Sequence, residues 1–98
     1  MTKNELQNKV LEANAKVDNC LTFLNPMTFD LFVEHMKEAD KAVKDCLAEF
    51  WSPDCELDSE ERSFAYGIVS SADKRINQYL CLGYRVFDMD KLNAALGL

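Results

Sequence analysis

The sequence predicts an all-α, antiparallel three-helix bundle with a short fourth helix at its C-terminal end. Apolar residues recur at heptad spacing in three stretches, which is typical of helices that bury one face against each other. The first pattern returns after 26 residues, so the first two helices should be equally long. Three Gly and two Pro are too few for the frequent turns of an all-β fold. We expect residues 1–98 to form one domain.

The first helix is predicted over about residues 3–24. Thr2 and Glu5 form a Thr-x-x-Glu capping box, which satisfies free N–H groups at a helix start. The apolar positions that follow, spaced alternately by four and three residues, are Leu6, Val10, Ala13, Val17, Cys20 and Leu24. Pro26 should end the helix, because proline disfavours α geometry in the residue before it.

The second helix is predicted over about residues 28–51, with Thr28 as its cap and Pro53 after its end. Its apolar positions repeat those of the first helix: Phe32, Met36, Ala39, Val43, Cys46 and Phe50. A short connection makes the two helices antiparallel neighbours. Seven identities between residues 1–26 and 27–52 leave both duplication and convergence on one pattern open.

The third helix is predicted over about residues 59–82, with Asp58 or Ser59 as its cap. Its apolar positions keep the phase of the second helix: Ala65, Val69, Ala72 and Ile76. Gly83 should end this helix in a left-handed conformation. We expect residues 84–87 to be extended and Asp88 to cap a last helix over about 88–96.

The charge of the chain excludes several classes of function. A net charge of −6 argues against direct nucleic-acid binding, which depends on clustered Lys and Arg. No apolar run is long enough to span a membrane, and the N-terminus lacks a signal-peptide core. We therefore expect a cytoplasmic protein whose four cysteines are reduced thiols. Cys55 and Cys81 could pair or bind metal, although their spacing gives no support.

No arrangement of residues in the sequence indicates an enzyme. The single histidine, His35, lies about 16 Å along the same helix from Cys46, too far for a catalytic pair. His35-x-x-Glu38 is the reverse of the di-iron motif and occurs once. The acids after Asp54 lack the glycine and glutamate of a calcium loop, and no nucleotide-binding loop is present. We expect no catalysis, cofactor or metal.

One acidic cluster suggests a binding surface. Seven acids and no base lie between Asp45 and Glu61, with two aromatic residues among them. The residues that we assign to a candidate partner-binding site are Trp51, Phe50, Glu49, Asp54, Glu56, Asp58, Glu60 and Glu61. They would form an acidic rim around an aromatic anchor for a protein with a basic surface. Alternatively, the acids support the positive start of the third helix and keep the loop solvated.

The predicted function is that of a non-enzymatic regulator or inhibitor that binds another protein. The alternative is a structural bundle that associates with itself as a homodimer or larger assembly. Both use the apolar residues outside the heptad positions, which could instead be additional core. These residues are Phe29, Val33, Leu47, Trp51, Phe64, Ile68 and Leu80.

The second half of the chain also resembles the Hha/YmoA family of small helical modulators that bind a nucleoid protein. The resemblance lies in Glu56-Leu57, in the run from Ser71 to Arg75, and in Tyr84. It implies that Asp73 contacts the partner. The chain departs from the family in its acidic charge, its additional first helix and the spacing between these motifs.

Overall fold

The computed structural model describes residues 2–98 and confirms the all-α prediction for that part of the chain, where it contains four α-helices and no strand. They are α1 (Lys3–Asn19), α2 (Phe29–Phe50), α3 (Ser59–Val86) and α4 (Met89–Leu96). The first three helices pack against each other, and α4 packs against α2 and α3. The bundle measures 44 × 21 × 17 Å.

The heptad positions form the core, as the spacing predicts. All the predicted apolar positions of the first three helices are buried except Leu24, which is partly buried. Both Cys20 and Cys46 are fully enclosed. The residues outside the heptad positions divide into two groups, because several pack against the core while Trp51 and Phe64 are each 73% exposed. Additional core therefore accounts for only part of the surplus apolar surface.

The connection between α1 and α2 is longer than predicted. The heptad spacing predicts a helix to residue 24, but α1 ends at Asn19 and is followed by two 3-10 turns, Cys20–Phe23 and Pro26–Thr28. Thr28 precedes α2, but its hydroxyl donates to the carbonyl oxygens of Phe23 and Asn25, at 2.7 and 3.0 Å, instead of capping the helix. These bonds stabilise the turn, because they satisfy carbonyl groups that a helix end leaves free.

The helices α1 and α3 run parallel and are linked by polar side chains. Tyr79 donates from its hydroxyl to the Asp18 carboxylate at 3.0 Å, and Arg75 donates to the Asn14 side-chain oxygen. The two residues of each pair are 61 apart in the sequence, so α1 and α3 run in the same direction with a constant offset. Burial raises the pKa of Tyr79, and its bond to Asp18 raises it further. These bonds set the register of two helices that are not consecutive.

The prediction that Gly83 ends the third helix is wrong. α3 continues to Val86, and Gly83 is buried within it. A Cβ at this position would lie 3.0 Å from Leu92 Cδ2 and from Phe32 Cε1. Glycine is therefore present because α2 and α4 approach the α3 backbone closely here. Packing against these two helices overrides the tendency of glycine to end a helix.

We expect Gly83→Ala and Gly67→Ala, two substitutions on the same helix, to have opposite effects on stability. Each removes a glycine that costs about 1 kcal/mol relative to alanine in a helix. At Gly83 the added methyl group meets fully buried Phe32 and Leu92, and such overpacking costs about 1–3 kcal/mol. At Gly67 it meets nothing within 4 Å.

Urea unfolding followed by circular dichroism measures both effects. The free energy of unfolding should fall by about 1 kcal/mol for Gly83→Ala and rise by about the same for Gly67→Ala. Equal stabilisation by both variants would contradict the packing role assigned to Gly83.

Candidate functional site

The candidate site lies at the end of the bundle where α2 stops and residues 51–58 lead into α3. Two consecutive aromatic residues there have opposite environments. Phe50 is 1% exposed and lies in the core, whereas Trp51 is 73% exposed. Including Phe50 in a partner-binding surface is therefore wrong. Phe50 occupies the last heptad position of α2, and that position faces the other helices.

Trp51 borders a shallow groove against the first turns of α3. The groove has a volume of about 390 Å³, and Tyr66, 46% exposed, lies on its other side. Arg62 lines the groove and donates from its guanidinium to the Leu57 carbonyl oxygen at 3.4 Å. We call the exposed rings of Trp51 and Tyr66 the aromatic surface. The sequence analysis did not include Tyr66.

Three of the predicted site acids stabilise the fold itself. Asp58 and Glu61 form the capping box of α3, in which each carboxylate accepts a hydrogen bond from the other's backbone N–H, at 2.8 and 3.3 Å. Glu56 accepts from the backbone N–H of Lys3 at 2.9 Å, at the start of α1. The Lys3 ammonium group pairs with Glu61, and this hydrogen bond raises the pKa of Lys3. The loop therefore joins the N-terminal ends of α1 and α3.

The other three predicted acids differ from these in their contacts. Glu49, Asp54 and Glu60 make no ion pair within residues 2–98, and Asp54 and Glu60 are exposed. Asp45, at the edge of the cluster, lies 3.6 Å from the Lys41 ammonium group. Half of the predicted acids thus bond within the fold, two of them in a capping box, and partner binding by the other half stays a prediction.

The N-cap of α3 links stability to pH. The hydrogen bond from the Glu61 backbone N–H holds the pKa of Asp58 below its ordinary value. A carboxylate whose pKa is lower in the folded state stabilises the fold above its unfolded pKa, and that stabilisation is lost as the pH falls.

We expect Asp58→Asn to flatten the acid side of the stability curve. Asparagine is an equally good N-cap but does not titrate in this range, so stability near pH 7 should change little. Between about pH 5 and pH 2 the variant should lose less stability than the original chain. Thermal melts across this range provide the measurement. Parallel curves for the two proteins would contradict the role of Asp58.

The thiols and the histidine do not form a reactive cluster in the described part of the chain. His35 stacks on Phe23 with ring centroids 4.3 Å apart. No group of three His, Cys, Asp or Glu side chains that could hold a metal ion occurs within residues 2–98. Burial raises the pKa of Cys20 to about 11 and also raises that of Cys46. Cys81 is exposed, and Cys55 is half-buried.

We expect the four thiols to be labelled at different rates at pH 8, according to their burial. Cys81 should react first and Cys55 more slowly, whereas Cys20 and Cys46 should react only after unfolding, because they are buried and protonated. Labelling with a maleimide, followed by peptide mapping with and without urea, gives the four rates. Rapid labelling of Cys20 in the folded protein would contradict the buried core assignment.

A second exposed region lies between α1 and α3. A groove of about 490 Å³ runs between these helices, and it is lined by Gln7, Val10, Leu11, Glu60, Glu61, Phe64, Ala65 and Ile68. Leu11 is 60% exposed and Phe64 is 73% exposed. Leu11 and Gly67 were not identified from the sequence. The signal was present, because both lie in predicted helices outside the heptad positions, where charged or polar residues are usual.

Comparison with known proteins gives no further guidance. No protein-family model, curated protein or solved structure matches the chain. None of the helices described here is both long and apolar enough to cross a bilayer. Asp73, which the Hha/YmoA resemblance implies as a contact, lies exposed on α3, and Tyr84 lies within α3, where it donates from its hydroxyl to Asn93. The resemblance stays a prediction.

Proposed function

We propose that this protein is a non-enzymatic cytoplasmic regulator or inhibitor that binds a protein with a basic surface. The observation that carries the proposal is the exposure of Trp51, the only tryptophan in the chain, at 73%. Tryptophan is usually well buried in folded proteins and is strongly enriched at the centres of protein interfaces. The cytoplasm suits a chain whose cysteines are all unpaired.

Trp51 and Tyr66 provide the apolar contact in this proposal. Both residues line a groove of about 390 Å³, together with Ser63 on α3. Tryptophan and tyrosine are both enriched among the interface residues that contribute most to binding. Binding here would regulate the partner by covering part of its surface. This requires neither a cofactor nor a reacting group.

The open acids account for the choice of a basic partner. Glu49 and Asp54 lie within three residues of Trp51 in the sequence and make no ion pair among the described residues, whereas Glu60 lines the groove between α1 and α3. The net charge of −6 adds to the attraction. Charges at the rim of an interface mainly increase the rate of association, and salt screens them.

Trp51→Ala should weaken binding to the partner by about 30-fold, because a central tryptophan typically contributes about 2 kcal/mol or more. The matched control is Met27→Ala, since Met27 is 90% exposed at the opposite end of the bundle. Immobilised original chain and both variants should be exposed to the same cell extract. Proteins lost only with Trp51→Ala are then purified, and their affinities are measured by calorimetry.

Salt dependence tests the charge of the partner separately. Affinity should fall as ionic strength rises from about 0.05 to 0.5 M. Equal capture by the original chain and Trp51→Ala would contradict the aromatic contact. Affinity that does not change with salt would contradict a basic partner and leave the aromatic contact standing.

A further inference from the structure

The outer face of α3 has a glycine that the single chain does not use. Gly67 is exposed in the middle of the helix, and a Cβ there would meet nothing within 4 Å. Glycine weakens a helix interior relative to alanine, so the position lowers stability without relieving any contact within the chain. Glycine at such a site allows another backbone to approach closely.

Large apolar side chains lie beside Gly67. Phe64 and Leu11 are 73% and 60% exposed. Between them lies a recess of about 630 Å³, lined by Leu11, Asn14, Ser63, Phe64, Gly67, Ile68, Ser71 and Arg75. The recess is open because Gly67 has no side chain and Ser71 has a small one. The face thus carries both a projecting ring and a hollow of suitable size to hold one.

Opposite charges lie at equal distances on either side of Gly67. Glu60 precedes Gly67 by seven residues, and Lys74 follows it by seven. Residues seven apart lie within about 20° of each other around a helix, so all three occupy one face. Both charged residues are exposed and make no ion pair within residues 2–98.

We propose that this face binds a second copy of the chain, with the two α3 helices antiparallel and a two-fold axis near Gly67. The arrangement places Glu60 of each copy opposite Lys74 of the other. It also directs Phe64 of each copy to the recess beside Gly67 and Ser71 of the other. Each contact then occurs twice, as a two-fold interface requires.

A second copy fits better than an unrelated helix because the face complements itself. A two-fold rotation that reverses the direction of α3 brings Glu60 to the position of Lys74. It also brings the ring of Phe64 to the position of the recess. The two surfaces adjoin on α3, because Ser63 lines both the groove beside Trp51 and the recess beside Gly67, but Trp51 itself lines only the first. The inference does not rest on the proposed function, because its evidence is the shape and charge of the face around Gly67.

Sedimentation equilibrium tests the dimer directly. The average mass should rise from 11.2 kDa towards twice that value as concentration increases. A constant mass of 11.2 kDa up to roughly 1 mM would overturn the proposal, since a specific contact binds more tightly than that. Trp51→Ala should leave the dimer unchanged.

Gly67→Lys tests the point of closest approach. The added Cβ meets no atom within 4 Å, and lysine is a better helix former than glycine, so the monomer should melt at a higher temperature. The dimer should be lost, because the side chain occupies the contact. Ala48→Lys, which adds the same side chain to an exposed position on α2, is the matched control. A dimer that survives Gly67→Lys would use another surface and overturn the proposal.

A charge exchange tests the antiparallel register. Glu60→Lys and Lys74→Glu should each weaken the dimer about fivefold, since each affects two pairs, and the double variant should restore it. General repulsion predicts the reverse for Glu60→Lys, because that change reduces the net charge from −6 to −4. A stronger dimer with Glu60→Lys, or no recovery in the double variant, would overturn the register.

Discussion

Parallel helices that are not consecutive in the chain have no short loop to set their register, and α1 and α3 are such a pair. Here side chains set the register instead. Arg75 and Tyr79 hydrogen-bond to residues in the C-terminal half of α1. At the N-terminal end of α1, Lys3 bonds to Glu56 in the loop and to Glu61 in the first turn of α3. The position of α1 on α3 decides which apolar residues are covered and which form the exposed groove between them.

The primary role of the acidic loop is to stabilise the register of α1 against α3, and binding a partner is secondary. A helix start has free N–H groups and a partial positive charge, so acids are stabilising there. Two helices begin at this end of the bundle, and Glu56, Asp58 and Glu61 lie at their first turns. A partner that drew these acids away would weaken the join between α1 and α3. The acids without internal contacts are therefore better suited to binding.

The heptad spacing was sufficient to predict the three long helices and their core, and the side chains before α3 and α4 were sufficient to predict their caps, because all of these depend on local patterns. The end of α3 was not predictable in this way. Gly83 carries a local signal that ends helices, but packing of Phe32 and Leu92 against its backbone decides the outcome. That contact joins α2 to α4, which are far apart in the sequence, so no local pattern contains it.

The site was predicted less well than the fold, for a related reason. Phe50 and Trp51 are neighbours in an acidic segment, and composition alone does not separate them. The heptad position of Phe50 does separate them, because it places that ring in the core. Tyr66 and Gly67 lie outside the heptad positions of α3, so their exposure was predictable, but no sequence pattern shows what they contact. Burial of one side of a helix is predictable from its pattern, whereas the use of the other side depends on what binds it.

The two proposed surfaces have a joint consequence for assembly. Two α3 helices that cross in antiparallel fashion at Gly67 have their N-terminal ends about 24 Å apart, at 1.5 Å per residue. The two aromatic surfaces then lie near the middle of the dimer, because Tyr66 is next to Gly67 in the sequence and α3 continues for 19 residues beyond Gly67. A partner with repeated sites would bind more tightly than one surface allows, because the second contact forms within the same complex.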